Sequence, residues 1–211
     1  MGYFPIFLEL RDRPCLVVGG GPVAERKVET LLGVGARVTV VSPVTSERLK
    51  AWEKKGSIRY VTREYQWGDL IGYQLAFVAT DNGEVNAAVA WEGRERGVWV
   101  NAADDPANCD FILPSVLRRG ALVVAVATGG ASPALSRAIR EELETYFTDD
   151  YGVLAQLVAE VRCELREQGR PSDGETWHRS LDADLRRLIA AGRREEAKAH
   201  LLDRLGAGRC R

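Results

Sequence analysis

The stretch Cys15-Leu16-Val17-Val18-Gly19-Gly20-Gly21-Pro22-Val23-Ala24 decides the fold of this chain. Four apolar residues predict a short buried strand, and three glycines predict a turn directly after it. Pro22 then stands where a helix would begin, because the first helical position tolerates proline. Apolar residues continue at helical spacing to Leu32, and we expect Gly33 and Gly35 to end the helix.

The glycine turn fits the dinucleotide-binding fingerprint G-x-G-x-x-G/A. We expect Gly19 to permit the tight turn, Gly21 to let a pyrophosphate approach the backbone, and Ala24 to let helix and strand pack closely. The N–H groups and partial positive charge at the helix start favour phosphate binding. Glycine-rich turns are common, but the strand–turn–helix context and a second strand at 37–41 favour a nucleotide site over a purely structural turn.

Length, composition and charge indicate a globular protein. The 211 residues suffice for one full domain and a smaller one. The net charge of −1 gives no indication of a nucleic-acid partner, and no apolar run is long enough to predict a membrane span. Residues 1–10 lack a basic leader and a cleavage site, so we expect no signal peptide. The widely spaced cysteines are typical of reduced thiols, which predicts a cytoplasmic protein.

Strands alternate with helices through the first half of the chain. The further predicted elements are a helix over 47–55 capped by Ser46, strands at 57–62, 74–79 and 98–100, and a helix over 84–96. Such alternation is typical of a parallel sheet with helices on both faces, whose ligands bind at the carboxyl ends of the strands. That rule brings four segments to one rim, namely 19–22, 42–44, 80–82 and 101–105.

The pattern changes in the second half of the chain. Two apolar runs, at 111–114 and 121–127, flank the charged turn 118–120 and predict an antiparallel pair of strands. Ser132 then predicts the cap of a helix that reaches about Phe147. After this helix, apolar residues repeat at helical spacing, which predicts an all-helical end of the chain.

Several motifs, in a fixed order, resemble those of siroheme synthases. They are Phe4-Pro5-Ile6-Phe7, Val18-Gly19-Gly20-Gly21-x-Val23-Ala24-x-Arg26-Lys27, Ala79-Thr80-Asp81 with Asn86, Asn101 with Asp104, Phe111-Ile112-x-Pro114-Ser115 and Gly129-Gly130-x-Ser132-Pro133. Over essentially its whole length the chain is similar to precorrin-2 dehydrogenases, the NAD-dependent part of siroheme synthase. No methyltransferase region follows, so the resemblance implies the stand-alone form.

The resemblance implies an α/β architecture in three parts. A Rossmann-type NAD-binding domain with a parallel sheet would span 1–113. A small α+β dimerisation segment would span 114–148, and an all-helical C-terminal domain would span 149–211. The resemblance also implies that two such chains form an interlocked homodimer.

The family reaction removes two hydrogens from precorrin-2 and yields sirohydrochlorin and NADH. The resemblance makes Asp104 the catalytic residue, and the sequence agrees, because no histidine precedes His178 and no lysine lies between Lys55 and Lys198. The alternative is that Asp104-Asp105-Pro106 is only an acidic turn. Some family members also insert ferrous iron. The two histidines have no metal-ligand spacing, so this ferrochelatase activity stays open.

The fingerprint, the predicted rim and the resemblance together predict the cofactor site. The candidate residues are Gly19, Gly21, Pro22, Val23, Pro43, Val44, Thr80, Asp81 and Asn101. Asn101 can alternatively cap a turn. No acidic residue ends the second strand to bind a ribose 2′-hydroxyl, and no arginine stands there for a 2′-phosphate. The residues therefore leave NAD and NADP open, and the family implies NAD.

A polycarboxylate tetrapyrrole requires cations and N–H groups in its site. The start of the helix after residue 132 predicts a carboxylate cradle. Arginines suit carboxylates, and the candidates are Arg118, Arg119, Arg137 and Arg140. The alternative is that these four arginines are solvated surface residues. Thr128 stands where some family members carry serine. The candidate substrate-binding residues are Thr128, Gly129, Gly130, Ser132 and Arg137.

A second function class also fits the glycine turn. The chain would then be a non-catalytic module that senses a nucleotide and docks a partner through its helical tail. Such a module gives no reason for the pair Asn101 and Asp104 or for the motif at 128–133. The enzyme interpretation explains both features.

Overall fold

The structure is a computed structural model that describes residues 2–103, 105–170 and 172–206. Two compact units divide the chain, Met1–Ile112 and Leu113–Arg211. The first is the predicted α/β domain, and the second holds a β-hairpin followed by helices. A further boundary near residue 148 stays a prediction.

The sheet of the first unit is parallel, as predicted. Its strands are β1 (Pro14–Val18), β2 (Arg37–Val41), β3 (Ile58–Val61), β4 (Leu75–Val78) and β5 (Trp99–Ala102). The helices between them are α1 (Pro22–Gly33), α2 (Glu47–Lys54) and α3 (Gly83–Arg96). The strands lie in the order β3-β2-β1-β4-β5. The order reverses between β1 and β4, which is the switch point where folds of this kind bind nucleotides.

Side chains of β1 alternate between two apolar cores. Cys15 and Val17 pack with α1 and α2 on one face of the sheet, and Leu16 and Val18 pack on the other face. Because helices cover both faces, the central strand is a continuous apolar run. Burial raises the pKa of the Cys15 thiol to about 11, so this cysteine stays protonated and unreactive at neutral pH.

A buried carboxylate holds the loop between β3 and β4. Glu92 of α3 is fully buried. It accepts hydrogen bonds from the Tyr65 hydroxyl at 2.5 Å and from the Gly68 N–H at 2.8 Å, and it pairs with Arg96 Nε at 2.6 Å. Burial pushes the pKa of Glu92 upward, but these hydrogen bonds outweigh it and lower the pKa below its ordinary value.

The second unit combines the hairpin with a helical core. Its elements are β6 (Ser115–Arg119), β7 (Leu122–Val126), α4 (Pro133–Tyr146), α5 (Asp149–Glu167), α6 (Gly174–Ser180), α7 (Ala183–Ala190) and α8 (Arg194–Arg204). Helices α5, α7 and α8 bury its core residues, which are Leu157, Val161, Leu165, Leu185, Ile189, Ala197 and Leu201. Among the described residues, no helix is both long enough and apolar enough to cross a membrane.

The hairpin lies further along the chain than predicted. Residues 111–113 are outside the strands, and the predicted turn residues Arg118 and Arg119 belong to β6. Phe111 instead packs edge-on against Phe77, at 5.7 Å between ring centroids, beside the first unit's core. Arg119 is accommodated in the strand because its Nε donates to the Phe147 carbonyl at 2.9 Å.

Replacing Glu92 with glutamine should destabilise the first unit by about 2–3 kcal/mol near neutral pH, because Arg96 loses its buried counter-charge. The ordinary pKa of Glu92 is 4.5 and the folded value is lower. The stabilisation is therefore complete above that ordinary value and is lost as the pH falls through the folded pKa. Denaturant unfolding over a pH series should show the free-energy difference shrinking in acid.

The matched control is Glu95→Gln on the exposed side of the same helix. Its free energy of unfolding should stay within about 0.5 kcal/mol of wild type. If the difference in the free energy of unfolding between wild type and Glu92→Gln did not change with pH, the stabilising role given to the Glu92 carboxylate would be contradicted.

Candidate functional site

Backbone segments after β1, β2 and β4 approach each other closely at the glycine turn. Gly19 has a φ of +121°, and a Cβ at this position would lie 2.2 Å from the Ala79 carbonyl oxygen. A Cβ at Gly20 would lie 1.7 Å from the Val44 carbonyl oxygen. Both positions therefore require glycine. The need for glycine at Gly20 was missed from the sequence, because the fingerprint leaves that position open.

Gly21 has different surroundings. A Cβ there would meet nothing within 4 Å. Gly21 is the N-cap of α1, Pro22 follows it in the first turn, and no described side chain caps this helix. Ala24 is fully buried, as its predicted packing role requires. The start of α1 thus directs backbone N–H groups toward open space, which is the arrangement that binds phosphate groups.

Two hydroxyl groups hold the loop after β2 in place. Ser42 Oγ donates to the Val44 carbonyl at 2.8 Å and accepts from the Val44 N–H at 3.2 Å. The Tyr60 hydroxyl donates to the same carbonyl at 2.8 Å. Pro43 is exposed and the Val44 side chain is 70% exposed, so both are available to a ligand. Tyr60 was missed from the sequence, since the pairing of β3 with β2 brings it here.

A cleft of about 390 Å³ opens beside the start of α1 and the ends of β4 and β5. Thr80 Oγ1 donates to Asn86 Oδ1 at 2.8 Å, and Asn86 Nδ2 donates to the Thr80 carbonyl at 3.4 Å. This pair fixes the wall formed after β4. The predicted residues Val23, Thr80 and Asp81 come together here. The lining residues are Val23, Ala79, Thr80, Asp81, Gly83, Asn86, Ala103 and Asp105.

Asn101 is buried on β5, and it is not among the described residues that line the cleft. Its Nδ2 donates to the Phe111 carbonyl at 2.9 Å. The amide therefore ties the segment after β5 back onto the sheet, and contact with the cofactor stays a prediction. Asp104 lies outside the described residues, so its catalytic role also stays a prediction. The residues on either side of it, Ala103 and Asp105, line the cleft.

In the second unit, a hydrogen-bonded loop precedes α4. Thr128 Oγ1 donates to the Ser132 carbonyl at 3.0 Å and accepts from the Ser132 N–H at 3.0 Å. Ser132 Oγ accepts from the Leu135 N–H at 3.1 Å, which confirms the predicted helix cap. Substrate binding by this loop and its neighbours stays a prediction, which concerns Thr128, Gly129, Gly130, Ser132 and Arg137.

In the part of the chain that the structure describes, the side chains that could ligate a metal ion do not cluster. Across residues 2–103, 105–170 and 172–206, no group of three or more His, Cys, Asp or Glu side chains is placed to hold a metal ion. His200 Nε2 instead lies 3.1 Å from the Asp182 carboxylate, which also accepts from the Leu185 N–H at the start of α7.

Comparisons with known proteins agree with this geometry. Residues 6–115 match a family model described as "Putative NAD(P)-binding", and residues 119–146 match one described as "Sirohaem biosynthesis protein central". The solved structure "SirC, precorrin-2 dehydrogenase" is similar to this chain, with a TM-score of 0.76 and 28% sequence identity. The matched region covers 95% of this chain and 100% of the SirC chain.

Curated relatives include two siroheme synthases. The protein from Methylococcus capsulatus is 43% identical over 96% of this chain, and the protein from Nitrosococcus oceani is 40% identical over 99% of it. The chain spans somewhat less than half the length of these relatives, 43% and 45% respectively.

The fold and the glycine turn define an NAD(P)-binding protein of the Rossmann type. Its cofactor is a nicotinamide dinucleotide. The open space at Gly21 lies beside the start of α1, which no described side chain caps, and it fits the pyrophosphate of such a cofactor. The chain belongs to the NAD(P)-binding family that the first of these models describes, and over nearly all of its length it is similar to siroheme synthases and to a precorrin-2 dehydrogenase. The predicted fold class and the resemblance are therefore confirmed.

Substituting Gly21 with valine should weaken dinucleotide binding without unfolding the chain. The backbone φ of −90° suits valine, and the new side chain would occupy the space beside the helix start. We expect the dissociation constant for NAD to rise by roughly tenfold or more, or about 1.4 kcal/mol. Titration with NAD and a thermal melt measure the two effects.

Gly20→Ala is the companion variant. Its Cβ would collide with the Val44 carbonyl oxygen, so it should lower the melting temperature as well as the affinity. Unchanged NAD affinity in Gly21→Val would contradict the placement of the pyrophosphate.

Proposed function

We propose that this chain catalyses the NAD-dependent dehydrogenation of precorrin-2 to sirohydrochlorin in siroheme biosynthesis. The observation that carries the proposal is the cleft at the switch point of a nucleotide-binding sheet, in a chain of this family. A structural neighbour named precorrin-2 dehydrogenase, similar over nearly all of the chain, supports the choice of substrate.

The cofactor would be held by the glycine turn and by Pro43, Val44, Thr80 and Asp81. When bound, NAD supplies the acceptor for the hydride that leaves the substrate. The nearest arginine after β2 is Arg48, and it forms an ion pair with Glu29 of α1. The choice of NAD over NADP rests on the resemblance.

A proton must leave the substrate together with the hydride, and a carboxylate is suited to accept it. We assign this role to Asp104, on the resemblance. Asp105 is the adjacent alternative. Its Oδ2 accepts a hydrogen bond from Asn108 Nδ2 at 2.8 Å.

The loop that precedes α4 is the proposed contact for substrate carboxylates. The Thr128 hydroxyl bonds to the backbone of Ser132, and the Ser132 hydroxyl accepts from the Leu135 N–H of α4. The contacts to substrate would therefore come from the backbone N–H groups of Gly129 and Gly130 and from the exposed Arg137. In this proposal the two hydroxyls shape the loop.

Anaerobic incubation of the chain with precorrin-2 and NAD tests the function. We expect NADH to form in step with the absorption spectrum of sirohydrochlorin. Binding of NAD without turnover would instead favour the nucleotide-sensing module. A second incubation, with ferrous iron as an added substrate, tests ferrochelatase activity by the appearance of siroheme.

Asp104→Ala should abolish this turnover and leave the affinity for NAD within a few-fold of wild type, because the glycine turn is unchanged. A rate loss of roughly a hundredfold or more is expected for removal of a general base. The control is Asp203→Ala, an exposed acidic position on α8. Turnover that survives in Asp104→Ala would move the base to another residue.

We also infer that the second unit pairs with a second copy of the chain. The strands β6 and β7 form a two-stranded sheet against which α4 and α5 pack. Apolar side chains at Val116 and Leu135 are exposed, the latter by 51%. A homodimer would bury them.

Leu135→Glu should convert the homodimer to a monomer, because a carboxylate would enter an apolar interface. Light scattering after size exclusion measures the mass. The control Ile71→Glu alters a side chain in the first unit that is 64% exposed, and it should leave the mass unchanged. A monomeric wild type would contradict the inference directly.

A further inference from the structure

The outer edge of β5 is closed by the segment that follows it. On the inner side, the N–H groups of Trp99 and Ala103 donate to backbone carbonyls in and beside β4, so Val100 and Ala102 direct their backbone groups outward. The Val100 N–H donates to Asp110 Oδ2 at 2.8 Å, and the Asp110 N–H donates to the Val100 carbonyl at 2.8 Å. Asp110 thus takes the place of a neighbouring strand.

Cys109 bonds in the same way to the outward backbone groups of Ala102, and it also contacts a residue beyond the end of β5. Its Sγ accepts from the Ala102 N–H at 3.2 Å and lies 3.1 Å from the Ala102 carbonyl oxygen and 3.3 Å from the Asp105 carbonyl oxygen. Those two carbonyls stand on either side of residues 103 and 104 in the sequence. One thiol therefore contacts the backbone at both Ala102 and Asp105, and Asp105 lines the cleft.

The surroundings keep this thiol a hydrogen-bond donor. Burial raises the pKa of Cys109 above its ordinary value, so the S–H persists at neutral pH. Asn101 Nδ2 approaches Sγ at 3.6 Å and holds Phe111, and Arg94 Nη2 donates to the Ala107 carbonyl at 3.1 Å. The segment that carries Cys109 is thereby anchored on both sides of it.

We propose that Cys109 is a positioning residue, whose thiol holds the backbone at Ala102 and at Asp105 and, by fixing these two points, positions the residue that accepts the proton. The inference rests on the proposed function. The thiol itself takes no part in the reaction, since it contacts the backbone of Ala102 and Asp105. Its contribution is to keep these two backbone positions in place.

The test compares Cys109→Ala, Cys109→Ser and Cys109→Val in turnover of precorrin-2 and in amide hydrogen exchange of residues 101–106. Alanine and valine remove the donor, and they should lower kcat roughly tenfold to a hundredfold, as misplacement of a reacting group does. KM for NAD should stay unchanged, because the glycine turn is intact. Exchange in this segment should accelerate.

Cys109→Ser should recover most of kcat, because a hydroxyl can donate to the same carbonyls. Cys163→Ala, an exposed cysteine on α5, is the matched control and should behave as wild type. If alanine prevents folding, valine fills a similar volume, and the serine and valine variants decide the question.

Two results would overturn the proposal. One is wild-type kcat and wild-type exchange in a folded Cys109→Ala or Cys109→Val. The other is an equal loss of kcat and NAD affinity in every Cys109 variant, which indicates general disruption. A wild type that binds NAD without turnover is a failure of the proposed function, and in that case the exchange of residues 101–106 alone decides whether Cys109 holds the turn.

Discussion

The close approach of backbone to backbone at the glycine turn is the constraint on which the rest of the first unit depends. The carbonyl oxygens of Ala79 and Val44 occupy the space that side chains on Gly19 and Gly20 would need. Strand ends that are sequentially distant thus meet at van der Waals distance. This contact fixes the relative positions of the segments after β1, β2 and β4, and it leaves the start of α1 open toward the ligand side.

Around this constraint, polar side chains serve mainly to shape backbone. Ser42 and Tyr60 hold the loop after β2, Thr80 and Asn86 hold the segment after β4, and Cys109 contacts the backbone of Ala102 and Asp105. Each bonds to the protein itself. Among the described residues, the groups left for a ligand at this rim include the backbone N–H donors at the start of α1, which suit the phosphates of a dinucleotide.

The parts of this structure that the sequence predicts are those in which neighbouring residues determine the outcome. The glycine turn, the bounds of β2 and the Ser132 cap depend on residues a few positions apart. Tyr60 and Glu92 were missed because their partners lie 16 and 27 positions away. The hairpin was predicted too early in the chain because the apolar run that begins at Phe111 resembles a strand. In the structure Phe111 packs against Phe77 instead. Asp104 rests on the resemblance alone, since spacing does not distinguish a base from an acidic turn.

The closed edge of β5 also bears on self-association. An exposed edge strand offers unpaired N–H and carbonyl groups on which a strand from another molecule can add, and this is a common start of aggregation. At Val100 and Ala102 those groups are already bonded to Asp110 and Cys109. A sheet that runs continuously from one molecule into the next must therefore begin at some other edge.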